Sequence, residues 1–187
     1  MKTITFSVRF HQPFLVRSGL ARGGVDSVAR IDAPLPASSL KGAMRAASVQ
    51  VLEIPDALVN AIYGRSGEDG EASKQGAWAW TDAGPSDAFV RQVRVRNRVD
   101  PTSGVALAEA LTFSEEYWHR TEQTVTFCVE QIRVLDASTL DQHVLAIQAA
   151  SYAVTALGSW RNRGMGAVTI RPIEPLDRLA ERGEELR

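Results

Sequence analysis

The apolar residues of this 187-residue chain switch twice from strand spacing to helical spacing and back, and that switching decides its fold class. Ile4, Phe6, Val8 and Phe10 alternate, which predicts a half-buried strand over 3–10, closed by His11-Gln12-Pro13. Leu40, Met44, Ala47 and Val51 share one helical face and predict a helix from about Ser39 to Glu53. A second short helix restarts at Pro55-Asp56 and stops at Gly64, and the polar, glycine-rich stretch 65–76 reads as a loop. Trp78 and Trp80 mark a second strand. Phe89 to Arg98 is a third, which turns through Asp100-Pro101-Thr102-Ser103-Gly104 and returns along Ala106 to Phe113. Glu122 to Val134 is the strongest strand. Asp136 and Thr139 then supply helix-start chemistry, Leu140, Val144, Ile147, Ser151 and Val154 follow at helical spacing, and Gly158 reads as the stop. Ala167 to Ile173 is the last strand.

With an arm at about 94–112 set aside, the order is strand-helix-strand-strand-helix-strand. That predicts an α+β, modified ferredoxin-like (RRM-like) palm over 1–175, with two main helices on one face of an antiparallel sheet. A thumb-like arm projects from it, and a charged tail over 176–187 follows. The other sheet face and its loops are left open for a ligand.

A net charge of −1 gives no global basic signature, so a polyanion would have to be held by local clusters. The lysines are Lys2, Lys41 and Lys74; the other cations are arginines, which offer phosphate a planar fork. The lone Cys128 excludes an internal disulfide and a cysteine zinc cage, and its apolar neighbours predict a buried, inert thiol. His11, His119 and His143 show no metal-ligand spacing, and His143 is expected on a helix surface. No secretory segment or membrane span is apparent, which predicts a cytoplasmic protein with no membrane partner.

Three stretches carry candidate chemistry. Pro34 and Pro36 stiffen a loop that ends in Ser38, Ser39, Lys41 and Arg45, where serine hydroxyls, open N–H groups and two cations at a helix start suit a phosphate. An ordinary capped helix with solvated cations has the same local spacing. Between the last helix and strand, Arg161, Arg163, Gly164 and Gly166 form a glycine-bearing basic loop beside Trp160; a tight turn with solvated arginines is the plainer reading. Arg94, Arg96 and Arg98 lie two apart on one strand face, a stripe that suits a polyanion or protects a sheet edge.

Together these stretches resemble the RAMP superfamily of CRISPR-associated proteins. "LPASSLKGAMRAA" is similar to that superfamily's "IPGSSLKGALR" segment, "GSWRNRGMGAVTI" to its glycine-rich loop ending in "RGFG", "AIYGRSGEDG…GAWAWTDA" to "LFG…G…FxDA", and "RVRNRVDPTSGVALAEALTFSEE" to the arm with "IDRxTGxA". The four occur in the family's order and span most of 19–170. Gly23-Gly24-Val25-Asp26 and Ile31-Asp32-Ala33-Pro34 further resemble the "GGxD" and "IDSP" elements of the repeated backbone subunit of type III effectors.

The resemblance implies a palm that polymerises with copies of itself along a guide RNA (crRNA), beside other effector subunits, in an antiviral ribonucleoprotein. Ser38, Ser39, Lys41 and Arg45 would hold guide phosphates, the Arg161–Gly166 loop would hold the guide backbone, and the arm would wedge into the duplex with complementary target RNA. Asp32 corresponds to the aspartate needed for Mg²⁺- or Mn²⁺-dependent endoribonuclease activity on the target, as catalytic and metal-binding candidate; Asp26 is an outside candidate. A hydrated Mg²⁺ needs only one or two carboxylates plus phosphate oxygens, so the residue chemistry permits this. Loop aspartates making turn hydrogen bonds are the plainer alternative. A non-catalytic RNA-binding scaffold, a guide-processing endoribonuclease and, outside the family, a small-anion-binding ferredoxin-like domain stay open.

Overall fold

In this computed structural model, residues 1–19, 23–67, 72–107, 110–120 and 122–186 are described. Parts of the predicted loops at 17–32 and 65–76 and of the return segment 106–113 lie outside them.

The chain runs β1 (Thr3–Phe10), α1 (Ala37–Gln50), α2 (Asp56–Tyr63), β2 (Gly64–Arg65), β3 (Lys74–Gln75), β4 (Trp78–Trp80), β5 (Phe89–Arg96), β6 (Thr112–His119), β7 (Val125–Gln131), α3 (Ala137–Ala153), β8 (Val168–Pro172) and α4 (Leu179–Arg182). The main sheet has the order β4-β7-β1-β8, antiparallel throughout, with Phe6 facing Phe127 and Ser7 facing Arg171 in the register. That is the ferredoxin-like order of an α+β fold, with the hydrophobic pattern assigning the faces as expected. Ile4, Phe6, Val8, Phe127, Val129 and Ile170 are buried toward α1 and α3, together with Leu40, Met44, Leu145 and Ile147. Burying each such side chain contributes roughly 1.5–3 kcal/mol.

The opposite sheet face carries small and polar residues: Thr5 and Ser7 from β1, Thr126 and Cys128 from β7, Thr169 from β8, all partly exposed. Cys128 is therefore half-buried on the open face, with Sγ 3.7 Å from Thr5 Oγ1, because strand alternation turns it away from Phe127 and Val129.

Several expected boundaries move. The return strand is Thr112–His119 and pairs with β5 over eight residues from Phe89↔His119 to Arg96↔Thr112. Sequence alone hides it, because Glu115 and Glu116 interrupt its apolar pattern. Both carboxylates are buried, and arginines on β5 pair with them: Arg91 with Glu115 at 3.6 Å, Arg94 and Arg96 with Glu116 at 3.5 and 3.7 Å.

α3 starts as predicted, with Asp136 Oδ1 accepting from the Thr139 N–H at 2.9 Å. It ends at Ala153, before Gly158. His143 is not on the surface: only 2% of it is exposed, and its Nδ1 accepts from Trp78 Nε1–H at 3.0 Å. The last residues fold back on α3, where Leu186 is buried and Arg182 pairs with Asp141 at 2.6 Å. No helix among the described residues is long and apolar enough to cross a membrane.

Candidate nucleic-acid interface

The proline-stiffened loop delivers α1 two residues earlier than the sequence predicts. Pro36 is the N-cap, so Ser38 and Ser39 lie inside the first turn and neither caps it through its side chain. The cap comes from a distant residue instead: Asp82, just past β4, accepts from the Ala37 N–H at 2.7 Å. A carboxylate fixed at a helix start is not foreseeable from local spacing. It also places negative charge on the side of the turn nearest β4.

That division splits the predicted phosphate cluster. Ser38 and Ser39, with Gly42, line a cleft of about 310 Å³ whose other wall is Arg17, Gly158, Ser159 and Arg161. Lys41 and Arg45 lie on the far face of α1. Lys41 Nζ sits 5.6 Å from the centroid of the Trp80 ring, and partial burial, then the nearby Arg45 charge, lower its pKa. Arg45 reaches across to α2, donating to the Gly64 carbonyl and, at 2.9 Å, to Asn60 Oδ1. Arg45 thus holds the end of α2 in place.

The basic loop is a single turn of 3-10 helix over Arg161–Arg163, bounded by Trp160 at φ 59° and Gly164 at φ 72°. Its two arginines are exposed and make no side-chain hydrogen bond or ion pair among the described residues. Gly166 behaves differently. It is buried, its N–H donates to Pro13 O at 2.8 Å and its carbonyl accepts from Leu157 N–H at 2.9 Å; a Cβ there would sit 2.0 Å from the Leu157 carbonyl oxygen. Gly158 likewise packs on the Leu15 carbonyl. At Gly158 and Gly166 the close approach is to the protein's own backbone, and it locks the loop onto the segment after β1. Gly164 is the open one.

Trp160 joins this loop to the β5–β6 hairpin. The Arg17 and Arg96 guanidinium carbons lie 5.2 and 4.5 Å from its ring centroid, and Arg96 also donates to Met165 Sδ at 2.9 Å. The predicted arginine stripe is therefore not a row of free cations: Arg94 and Arg96 are paired with Glu116. Arg98, beyond the strand, is exposed.

The two aspartates also separate. Asp26 lies against β6: its N–H donates to Phe113 O at 2.9 Å and its Oδ2 accepts from Phe113 N–H at 2.7 Å, the structural use of a loop aspartate. Asp32 is exposed and makes no hydrogen bond or ion pair among the described residues. It stands in the same loop as Arg30, whose carbonyl accepts from Tyr117 Oη at 2.8 Å. No group of three or more His, Cys, Asp or Glu side chains gathers anywhere among the described residues. A divalent cation at Asp32 would therefore have fewer than three such protein ligands and would depend on water and phosphate oxygens for the rest, a donor set compatible with Mg²⁺ or Mn²⁺.

Compared by sequence, the chain matches no family model and no curated protein. Compared by structure, it is similar to a chain of the type III-B Cmr-beta assembly in its apo state, with TM-score 0.65 and 12% identity over 92% of this chain and 97% of that one. It is also similar to a chain of type III-B Cmr-beta bound to cognate target RNA, with TM-score 0.67 and 13% identity over 92% and 97%. At that identity the two share a fold, along nearly the full length of each.

Proposed function

We propose that this protein is a guide-RNA-binding subunit of a type III-like CRISPR ribonucleoprotein effector, assembled with copies of itself, other effector subunits and complementary target RNA. The observation that carries the reading is the cleft in which Ser38 and Ser39 of the α1 start face Arg161 and Arg17, on a fold shared end to end with a Cmr-beta chain. Two serines and two arginines line it, with no carboxylate among the described lining residues, a combination that takes up phosphate oxygens. Arg163 and Arg98 extend the positive surface.

The metal-dependent reading rests on Asp32. Its free carboxylate would hold a hydrated Mg²⁺ or Mn²⁺, and that ion would polarise the scissile phosphate of the target strand. The chain's own part is to hold the strand in the Ser38–Arg161 cleft and to present Asp32 on a loop stiffened by Pro34 and Pro36. Asp26, one of whose carboxylate oxygens is engaged by the Phe113 N–H of β6, is the outside candidate. A scaffold without catalysis is the second reading, favoured by the absence of a carboxylate cluster among the described residues.

One substitution separates them. Asp32→Asn keeps the shape and removes the charge a hard cation needs. Particles reconstituted from wild type and D32N on one guide are given labelled complementary RNA with Mg²⁺ or Mn²⁺. Regular fragments from the wild type alone, with guide and target retention equal, are expected. Equal cutting by both moves the chemistry away from Asp32, and target bound but uncut by both makes the protein a scaffold. If the protein carries no RNA when purified and takes up no guide, the binding reading itself fails.

A further inference from the structure

We propose that Trp160 is a positioning residue for the RNA cleft: its ring sets the Arg17 guanidinium at the cleft wall and, through Arg96, ties that wall to the β5–β6 hairpin. The inference rests on the RNA reading above and says what prepares one wall of that site for a phosphate.

The backbone gives the first reason. Trp160 is a bulky residue in the left-handed region, at φ 59°, where L side chains are strained. Hydrogen bonds on both sides hold it there. The Ser159 N–H donates to the Leu15 carbonyl at 2.7 Å, and the Trp160 carbonyl accepts from the Arg163 N–H at 2.8 Å. Strain of this kind persists where the surroundings over-determine it, and it collects where the direction of a side chain matters. Here the direction is that of the indole. It packs half-buried against the core, and the Arg17 and Arg96 guanidinium carbons stand 5.2 and 4.5 Å from its centroid.

The two arginines stand differently. Arg96 is anchored: its Nη2 donates to Met165 Sδ at 2.9 Å and lies 3.7 Å from the buried Glu116 carboxylate. Arg17 is exposed and lines the cleft together with Ser38, Ser39 and Arg161. A free arginine side chain loses much of its rotamer freedom when it meets a phosphate, and one already lying over a ring loses less. A ring also holds a guanidinium by its flat face and keeps its charge, which leaves the N–H groups along its edge able to donate to phosphate oxygens. A carboxylate in the same place would take up those donors, as Glu116 does for Arg94 and Arg96.

The full-length protein is titrated with a guide-length RNA across a salt series. Arg17→Ala should lower the slope of log affinity against log salt by about 0.7, one single-strand contact. Trp160→Leu should weaken binding about threefold at fixed salt, and Trp160→Phe should restore most of the loss. Leucine and phenylalanine meet the same backbone strain, so their contrast isolates the ring. Trp160→Leu combined with Arg17→Ala should bind no more weakly than Arg17→Ala alone. Additive losses overturn the proposal, since Trp160 would then meet the RNA itself. So does a phenylalanine variant as weak as the leucine one, or a leucine variant that lowers only the melting temperature. The wild type gives a reading that depends on no variant folding: ¹H–¹⁵N spectra of the arginine Nε–H groups, with and without hexauridylate. Before RNA is added, the Arg17 signal should lie upfield, displaced by the indole ring current. On binding it should move, while the Arg96 signal stays in place. An Arg17 signal without the ring-current displacement overturns the placement of Arg17 and leaves the RNA reading standing. A displaced signal in a protein that takes up no RNA marks failure of the RNA reading, and the positioning role falls with it.

Discussion

Gly164 and Gly166 stand two residues apart with nearly the same backbone, φ 72° and 74°, yet they do different work. Nothing lies near a Cβ placed on Gly164, so Gly164→Ala should cost only the left-handed strain, about 1–2 kcal/mol. At Gly166 the same methyl meets the Leu157 carbonyl oxygen at 2.0 Å, and Gly166→Ala should cost more than ~3 kcal/mol or prevent folding. Urea denaturation of the two variants checks the contrast; equal costs would mean the Leu157 segment yields easily. His143 supplies a second residue-scale expectation. Burial lowers its pKa from the ordinary value, outweighing the opposite pull of the Asp136 charge. The unfolded chain then binds a proton at a higher pH than the folded chain does. The stability contributed by the neutral ring is full above the ordinary histidine pKa, and it is lost progressively as pH falls below that value toward the lower, folded one. Wild type should therefore lose stability between pH 7.5 and 5, and His143→Gln, though less stable overall, should lose less over the same interval. Parallel pH profiles would remove His143 from the acid response.

At the scale of elements, the hairpin formed by β5 and β6 is the piece least visible in the sequence. Its base is fixed by a stacked cluster, with Phe10 and Phe14 centroids 3.9 Å apart and Phe89 edge-on to Phe14 at 5.1 Å. Its length is held by pairing of β5 arginines with two buried glutamates. Period-two reading finds strands by their apolar residues, so it recovered β1, β4, β7 and β8, whose inner faces are Ile, Phe, Val and Trp. It missed Thr112–His119, where charge compensation across the ladder replaces apolar burial. The same limit explains α1: the helix face was legible from Leu40 and Met44, while the cap, Asp82, lies 45 residues away from its partner. Beyond the ladder the hairpin tip has little to lose. Val99 to Val105 are exposed or half-exposed, and Asp100 merely closes a turn by accepting from the Thr102 and Ser103 N–H groups at 2.7 and 2.9 Å. Replacing Val99 to Ala106 by two glycines should leave the circular dichroism spectrum unchanged and the melting temperature within a few degrees, because the eight-residue ladder remains. In the assembled particle it should impair accommodation of the target duplex more than retention of the guide. Unfolding of the trimmed protein would show that the tip supports the sheet.

Across the whole molecule, the cations expected to share one RNA surface lie on opposite sides of α1, Lys41 and Arg45 toward Trp80 and α2 and Arg161 by the Ser38–Ser39 cleft, and RNA binding should report that division. Arg161 and Arg163 are exposed and free to meet phosphate among the described residues, whereas Arg45 holds Gly64 and Asn60 and Lys41 lies partly buried over Trp80. Each phosphate contact to single-stranded RNA releases condensed counterions, so removing one contact lowers the slope of log affinity against log salt by about 0.7. Arg161→Ala with Arg163→Ala should therefore lower the slope by about 1.4, the sum of two contacts, with no change in melting temperature, since neither side chain packs in the core. Arg45→Ala should do the reverse. Losing its two hydrogen bonds to the end of α2 should cost roughly 1–3 kcal/mol of stability, while the salt slope stays at the wild-type value. Lys41→Ala, exchanging a cation over a ring for a methyl, should cost roughly 0.5–1 kcal/mol and likewise leave the slope alone. Filter binding of a guide-length RNA across a salt series, with thermal melts of each variant, measures all of these at once. A slope lowered by Arg45→Ala and untouched at Arg161 and Arg163 would move the RNA path to the α2 face of α1, past Trp80. The Ser38–Arg161 cleft would then have to serve another ligand, because its hydroxyls and guanidinium groups would remain, with no RNA strand to meet them.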